Sequence, residues 1–400
     1  MKIGIISNLY PPFVRGGAEV IARTMAQGLS ERLQHVFVVS TQPFEGMRSL
    51  IPRERVDDGI KIYRFFPLNL YFYLSDYRFP LVIRALWRCI DMLNLHSYYC
   101  VRRILVKERP DVVITHNLTG IGFLMPVLLH RLGIRHVHVL HDVQLVEPSG
   151  IILHGHEFGL RHFFLRCAGY HALMRKLFST VSVVISPSKF LLDFYRRHRF
   201  FEAVESKIMT NPIRMPATVP RRQVPHDELR LLYIGQLTPG KGIMRLADVV
   251  RSTRVPVSLA VIGSGPLLLQ LRKKAEEDPR ITLLGWRTHA DVELKLSESD
   301  IVVVPTLCYD NSPTVVLEAL SHGVPVIASD IGGAKELIRV GTNGWIFPVE
   351  QWSELQRLIE WLAAHRDEIR RAAAVARSSI ENASVAEYCS RLLTVLEAYR

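Results

Sequence analysis

Two doubly wound, Rossmann-like α/β domains facing a cleft are what this sequence predicts, on three observations. Short apolar runs of strand length alternate with amphipathic segments of helix length along the whole chain, the pattern of buried parallel strands joined by crossover helices. The series breaks once, at residues 214–228, RMPATVPRRQVPHDE, where three prolines and no apolar period mark a linker. Four hundred residues also exceed one ordinary domain.

The elements follow in order. A strand over residues 2–7 leads into the loop LYPPFVRGGAE and an amphipathic helix at about 19–32. Strands follow at 36–40 and, after the Asp57-Asp58-Gly59 turn, at 60–65. Residues 71–106 read as helix, rich in aromatic residues and Arg. Strands at 112–115, 137–140 and 181–185 end at His116, His141-Asp142 and Ser186-Pro187-Ser188. After the linker the pattern restarts, with strands at 229–234 and 257–262 followed by GQLTPGKG and GSGP. Strands at 281–284, 301–305, 324–328 and 345–347 complete a second parallel sheet, and helices fill 353–400. The expected domains are therefore 1–213 and 229–383, with a final helix at 384–400.

Composition narrows the partners. Hydrophobic residues make up 48% and charged residues 22%, a globular balance. The net charge of +12 attracts phosphates or an anionic membrane face. No compact Lys/Arg block appears, so nucleic acid is not an expected partner. Five cysteines, Cys89, Cys100, Cys167, Cys308 and Cys389, form no CxxC pair and fit a reduced, cytoplasmic protein. The first apolar run is too short for a signal peptide, and no run is long enough to span a bilayer. Residues 68–105 and 162–178 mix aromatics with Arg, as helices lying on an anionic membrane do, so the expected place is the inner face of the cell membrane. Helices packed on the sheet with Arg outward are the ordinary alternative.

Candidate chemistry gathers at strand ends, where ligands of doubly wound sheets bind. In GQLTPGKG, glycines let the backbone approach a phosphate and Lys241 adds a full charge, though an ordinary turn with a solvated Lys looks the same. Gly263-Ser264-Gly265-Pro266 is a second glycine turn; Pro266 suits a first helical turn. Leu268 stands where a dinucleotide fingerprint needs glycine, so no nicotinamide cofactor is expected. Asp310 and Glu318 flank a Ser312-Pro313 step that reads as a helix cap with proline in the first turn. Glu318 interrupts the apolar VVLEAL and needs a partner, either vicinal sugar hydroxyls or a buried cation or amide. His116 and His141 can donate to a sugar hydroxyl or stay structural, and Asp142 reads as a local cap. Gly16-Gly17 opens a helix near a ligand phosphate or acceptor, or is a simple turn. His136, His138, His154 and His156 lack an HExxH or DxD context, so a structural role is preferred and no metal is expected.

In this order and spacing the motifs resemble a retaining glycosyltransferase of family 4, with the GT-B fold. The resemblance covers nearly the whole chain. It rests on Gly16-Gly17-Ala18-Glu19, His141-Asp142, the segment from Gln236 to Lys241, the segment from Asp310 to Glu318, and Gly332-Gly333-Ala334-Lys335-Glu336. It implies that Lys241 neutralises the diphosphate of a UDP- or GDP-linked sugar and that Glu318 holds the ribose hydroxyls. Asp310 would grip the donor sugar with backbone amides around Asn311, Ser312, Pro313 and Thr314, and His141 would sit near the reacting carbon. His116, Gln236, Gly265, Gly16 and Gly17 complete the expected contacts. No cofactor is required, and a hexose would pass to a saccharide or lipid-linked acceptor of the cell envelope. Gln236 stands where Arg is common, and Asp310 where Glu is usual. Those departures suggest one rival, a non-catalytic partner subunit; a nucleotide-sugar epimerase or isomerase of the same fold, needing no acceptor, is the other.

Overall fold

The computed structural model describes residues 1–150, 152–155, 165–218 and 227–398. His156, residues 162–164 of the second basic segment and residues 219–226 of the linker lie outside them, as do the side chains of residues 165–168. The described chain forms two compact units, one drawn from Met1–Gly150, Leu160–Pro212 and Val385–Arg400, the other from Ile151–Gly159 and Ile213–Ser384.

The first unit runs β1 (Lys2–Ile6), α1 (Gly17–Glu31), β2 (His35–Thr41), β3 (Arg53–Asp57), β4 (Ile60–Phe65), α2 (Leu81–Met92) and α3 (Leu95–Glu108). It continues β5 (Val112–Thr115), α4 (Met125–Arg131), β6 (Arg135–Val139), α5 (Leu165–Leu177), β7 (Val183–Ser186), α6 (Lys189–Arg197) and β8 (Glu205–Ile208). The strand order is β3-β4-β2-β1-β5-β6-β7-β8. The central strands are buried on both faces and pair in parallel. The order reverses between β1 and β5, which opens the switch-point crevice of a doubly wound sheet there.

Two local readings change. The strand at 60–65 has an antiparallel partner, β3, joined through Asp58 and Gly59 with φ of 49° and 75°. Two such positive angles make the tight hairpin turn that Asp-Gly favours. All five residues of β3 are exposed, so it carries no alternating apolar signal. The expected long helix is three pieces, a 3₁₀ segment at Tyr73–Arg78, then α2 and α3. Pro80 breaks the first junction, lacking an N–H and holding Phe79 extended. Asn94 breaks the second by capping α3, accepting from Ser97 N–H at 2.8 Å.

The second unit runs β9 (Leu229–Ile234), α7 (Ile243–Ser252), β10 (Val257–Ile262), α8 (Leu268–Glu277), β11 (Ile281–Gly285), α9 (His289–Glu298) and β12 (Ile301–Val304). Then come α10 (Thr314–Ser321), β13 (Val326–Ser329), β14 (Gly344–Phe347), α11 (Trp352–Ala364) and α12 (Arg366–Ala376). Its strand order is β11-β10-β9-β12-β13-β14, all parallel, with the switch between β9 and β12. Ile152 to Gly155 join this unit, against the expected boundary. Leu153 bridges Cys308, His154 N–H donates to Leu307 O at 2.8 Å, and Tyr309 N–H donates to Ile152 O at 3.0 Å.

The last helix, α13 (Val385–Glu397), belongs to the first unit. Tyr388, Cys389, Leu392 and Leu396 are fully buried in the cluster that holds Met25, Ala26 and Leu29 of α1. Gly28 permits the approach, since a Cβ there would lie 2.4 Å from Val385 Cγ1.

Candidate active site

In the second unit the strand-end loops gather around Lys241. Beyond β9, a 3₁₀ turn at Pro239–Lys241 leads through Gly242 into α7. Gly242 has φ of +70°, and a Cβ there would fall 1.8 Å from Pro305 O, so this loop lies directly on the end of β12. Only glycine fits that approach. It sets Lys241 Nζ 2.6 and 2.7 Å from the two carboxylate oxygens of Asp310. Burial alone would lower the lysine pKa, but the carboxylate outweighs it and the net shift is upward.

Asp310 is fixed by its backbone. Gly333 N–H donates to Asp310 O at 2.7 Å, and Gly332, at φ +66°, leaves the room a Cβ would close to 2.3 Å from that carbonyl. That accounts for the glycine segment beyond β13. Asn311 and Ser312 are buried. Pro313 corrects the expected cap: it occupies the N-cap with φ −66° and ψ 120°, and α10 starts at Thr314 with no side-chain cap. A residue before proline is pushed out of the helical region, so Ser312 stays in the loop. Pro313 supplies no N–H, which leaves Thr314 and its successors as the first donors of α10.

Val316, Leu317, Ala319 and Leu320 bury the inner face of α10. Thr314 and Glu318, four apart, share the other face. Burial raises the Glu318 pKa, and His289 and His322 partly oppose it. Gln236 is exposed, and its carbonyl accepts from Tyr233 OH at 2.8 Å. Gly263 and Gly265 serve backbone contact, since Cβ atoms would lie 1.9 Å from Gly235 O and 2.6 Å from Leu237 O. Pro266 precedes α8 instead of opening it.

In the first unit, β5 and β6 end side by side. His116 Nδ1 lies 2.7 Å from His141 Nε2, with the rings stacked at 5.0 Å and 22°. His116 is wholly buried and contacts the second imidazole, so it does not line an open surface as a ligand contact would. Burial keeps both neutral, His141 down at about 4 and His116 well below its ordinary value. His116 Nε2 has no partner among the described residues. A bare buried acceptor is commoner than a bare N–H, which assigns the proton to His116 Nδ1 and leaves His141 with Nδ1–H. His136 and His138 are held by Thr115 Oγ1 at 2.6 and 2.8 Å. Its single O–H serves one of them, and the other ring donates to it.

Sequence reasoning missed what surrounds His141. Asp142 Oδ1 accepts from Gln144 N–H at 2.9 Å, the expected local cap, and Asn117 binds the same carboxylate. Burial pushes its pKa up to about 6. Tyr73 lies near Asp142, with the Arg15 guanidinium 4.6 Å over its ring. Only the aromatic–Arg composition hinted at that pairing. Gly16 N–H donates to Glu19 Oε2 at 2.9 Å, and nothing lies within 4 Å of a Cβ built on Gly16, so the start of α1 is uncovered. Among the described residues no group of three His, Cys, Asp or Glu side chains converges as metal ligands.

Residues 16–212 match the model of a glycosyl transferase 4-like domain, and residues 228–365 match glycosyl transferases group 1. A GDP-mannose-dependent alpha-mannosyltransferase of Mycobacterium tuberculosis is 29% identical over 407 residues, covering 100% of this chain and 97% of that protein. A UDP-Gal:alpha-D-GlcNAc-diphosphoundecaprenol alpha-1,3-galactosyltransferase of Escherichia coli is 26% identical over 325 residues, 77% and 79% of the two chains. Sucrose-phosphate synthase from Thermosynechococcus elongatus superposes with a TM-score of 0.79 at 17% identity over 100% of both chains. That last likeness shows the fold.

Proposed function

The chain belongs to the family-4-like glycosyltransferases of GT-B fold, and on that premise we propose a retaining hexosyltransferase that draws on a nucleotide diphosphate sugar. One observation carries the reading. The Lys241–Asp310 pair stands at the carboxyl ends of β9 and β12, beside the N-terminus of α10. A cation and a helix start suit a diphosphate, and a carboxylate beside them suits sugar hydroxyls. Lys241 takes the diphosphate, Glu318 the ribose hydroxyls, and Asp310 the donor sugar.

His141 contacts the sugar near the reacting carbon. Its Nε2 is engaged and its imidazole neutral, so it acts as no strong base. The bond from the anomeric carbon to the leaving diphosphate breaks as the acceptor oxygen bonds on the same face. The acceptor's proton passes to the departing phosphate oxygen. Stabilising that leaving charge is the main demand on the protein. No metal is required in this scheme, because Lys241 and the N–H groups of α10 meet the charge.

The two relatives above are named for GDP-mannose and UDP-Gal, which supports a UDP- or GDP-linked sugar as the donor here. The galactosyltransferase is named for a diphosphoundecaprenol-linked acceptor, which supports a lipid-linked saccharide of the cell envelope here. Work on the inner membrane face follows from such an acceptor.

Calorimetry with UDP, GDP and their common sugar conjugates, with and without EDTA, tests this. One nucleotide series should bind, insensitive to chelator, and weaken more than about 10-fold in Lys241→Ala and Glu318→Ala. No binding by any of them would overturn the reading in favour of a non-catalytic partner subunit.

A further inference from the structure

Among the described residues, nothing packs on the outer face of α2. Leu81, Val82, Leu86 and Leu93 are 70%, 78%, 51% and 51% exposed, and Ala85 and Cys89 between them are exposed too. Positions 81, 82, 85, 86, 89 and 93 fall on one side of a helix. The opposite side carries Trp87, whose indole N–H donates to Tyr71 O at 2.8 Å, and Asp91, whose carboxylate takes Gly120 N–H. The helix is thus turned apolar side out by the anchoring of its polar-tipped side. A monomeric surface rarely exposes so continuous an apolar strip without a use.

Charge names the occupant. Residues 68–107 contain six cationic side chains, Arg78, Arg84, Arg88, Arg102, Arg103 and Lys107. Their two carboxylates, Asp76 and Asp91, are both buried. Arg84 and Arg88 border the apolar strip, and α3 continues it with exposed Leu95, Tyr99, Arg102 and Arg103. Arg84 pairs with Asp76 at 2.9 Å and Lys107 with Glu54 at 2.8 Å, so Arg78, Arg88, Arg102 and Arg103 carry the uncompensated charge; cations beside exposed hydrocarbon are the two features an anionic bilayer selects. No helix among the described residues is long and apolar enough to cross a membrane, so contact here is with the surface.

We propose that the outer face of α2, with the start of α3, docks on an anionic lipid bilayer. It deepens the lipid-linked acceptor reading and rests on it for its purpose. Arg88 lies near Tyr73, which in turn meets Arg15 and Asp142. The helix that faces the bilayer outward therefore borders, on its inner side, the residues around His141.

Co-sedimentation of the full chain tests it, with vesicles of phosphatidylcholine alone and with one-third phosphatidylglycerol. Wild type should bind the anionic vesicles at least about 10-fold more tightly, an advantage lost in high salt. V82E/L86E changes only exposed positions, so it should keep the wild-type melting temperature and lose anionic binding about 10-fold or more. R102S/R103S should lose about 30-fold through charge alone, at roughly 1 kcal/mol for each of the two cations. Equal binding by wild type and V82E/L86E, or no preference for anionic lipid, would overturn the proposal. So would a dimer in light scattering that V82E/L86E splits, since a second copy would then own the face. Nucleotide calorimetry on the same samples separates the two readings: intact UDP or GDP binding without vesicle binding sinks only the docking face.

Discussion

Lys241 and Asp310 neutralise one another across 2.6 Å, so a diphosphate that takes the lysine must draw it from a carboxylate that also repels the ligand. Asp310→Asn removes that competitor and keeps the shape. Free UDP or GDP, whichever the protein takes, should then bind about 3- to 10-fold tighter, on the order of 1 kcal/mol for a partly exposed pair. Transfer should fall by about 100-fold or more, because the sugar loses its carboxylate at the reacting centre. Calorimetry and initial rates read the two effects separately, and weaker nucleotide binding would show that Lys241 does not meet the diphosphate. His116→Phe asks a different question. The ring fills the buried volume but leaves His141 Nε2 unpartnered, at a cost of about 1–3 kcal/mol. Its effect should fall on kcat, with the donor KM within about twofold, because His116 orients His141 and is itself enclosed.

Elements explain which glycines are indispensable. Gly242 combines φ of +70° with a Cβ position inside Pro305 O, so Gly242→Ala must push the α7 loop off the end of β12. A loss of about 3 kcal/mol or more is expected, together with nucleotide binding. Gly16→Ala meets open space at an extended φ of −162°, so stability should hold within about 0.5 kcal/mol while any loss appears in transfer to acceptor. Urea unfolding and calorimetry on both variants check the contrast. The same elements show what the sequence displayed. Buried strands are continuous apolar runs ending in polar residues, so the two sheets and their strand-end motifs were visible. Lys241 and Asp310 were visible singly, but their ion pair joins residues 69 apart, which no local pattern expresses. Ile152 to Gly155 are too few to show a period, and their partner strand segment is remote. The proline at Pro313 was visible, but its place one residue earlier in α10 depends on how the Asp310 loop is held by Gly332 and Gly333.

At the scale of the molecule, the two units should part company in acid. In the first, burial holds His141 at about 4, His136 at about 3, and His116 and His138 well below the ordinary value. A histidine lowered in the fold stabilises above its unfolded pKa of about 6.5, and the gain is lost as pH falls toward the folded value. Asp91 and Asp142 oppose this, raised by burial to about 7 and about 6, with Glu19 raised as well. A raised carboxyl stabilises below its unfolded pKa and loses that as pH climbs through the folded one. From about pH 6.5 to 5.5 the four imidazoles of the unfolded chain carry about two, rising to nearly four, protons, while the fold carries about one, rising to about two, on the carboxyls. The net uptake on unfolding is one to two protons, so the first unit loses about 2 kcal/mol per pH unit on acidification. The second unit has no lowered histidine among its shifted groups, and its raised Glu318 works in the opposite sense. Hydrogen exchange read by mass spectrometry separates them. Corrected for intrinsic rates, peptides spanning β5 and β6 should lose protection roughly 30-fold per pH unit from 6.5 to 5.5, and peptides spanning β9 and β12 should not. Parallel loss in both would mean that the units open together. Steady protection at β5 and β6 would mean that the four imidazoles take up protons within the fold.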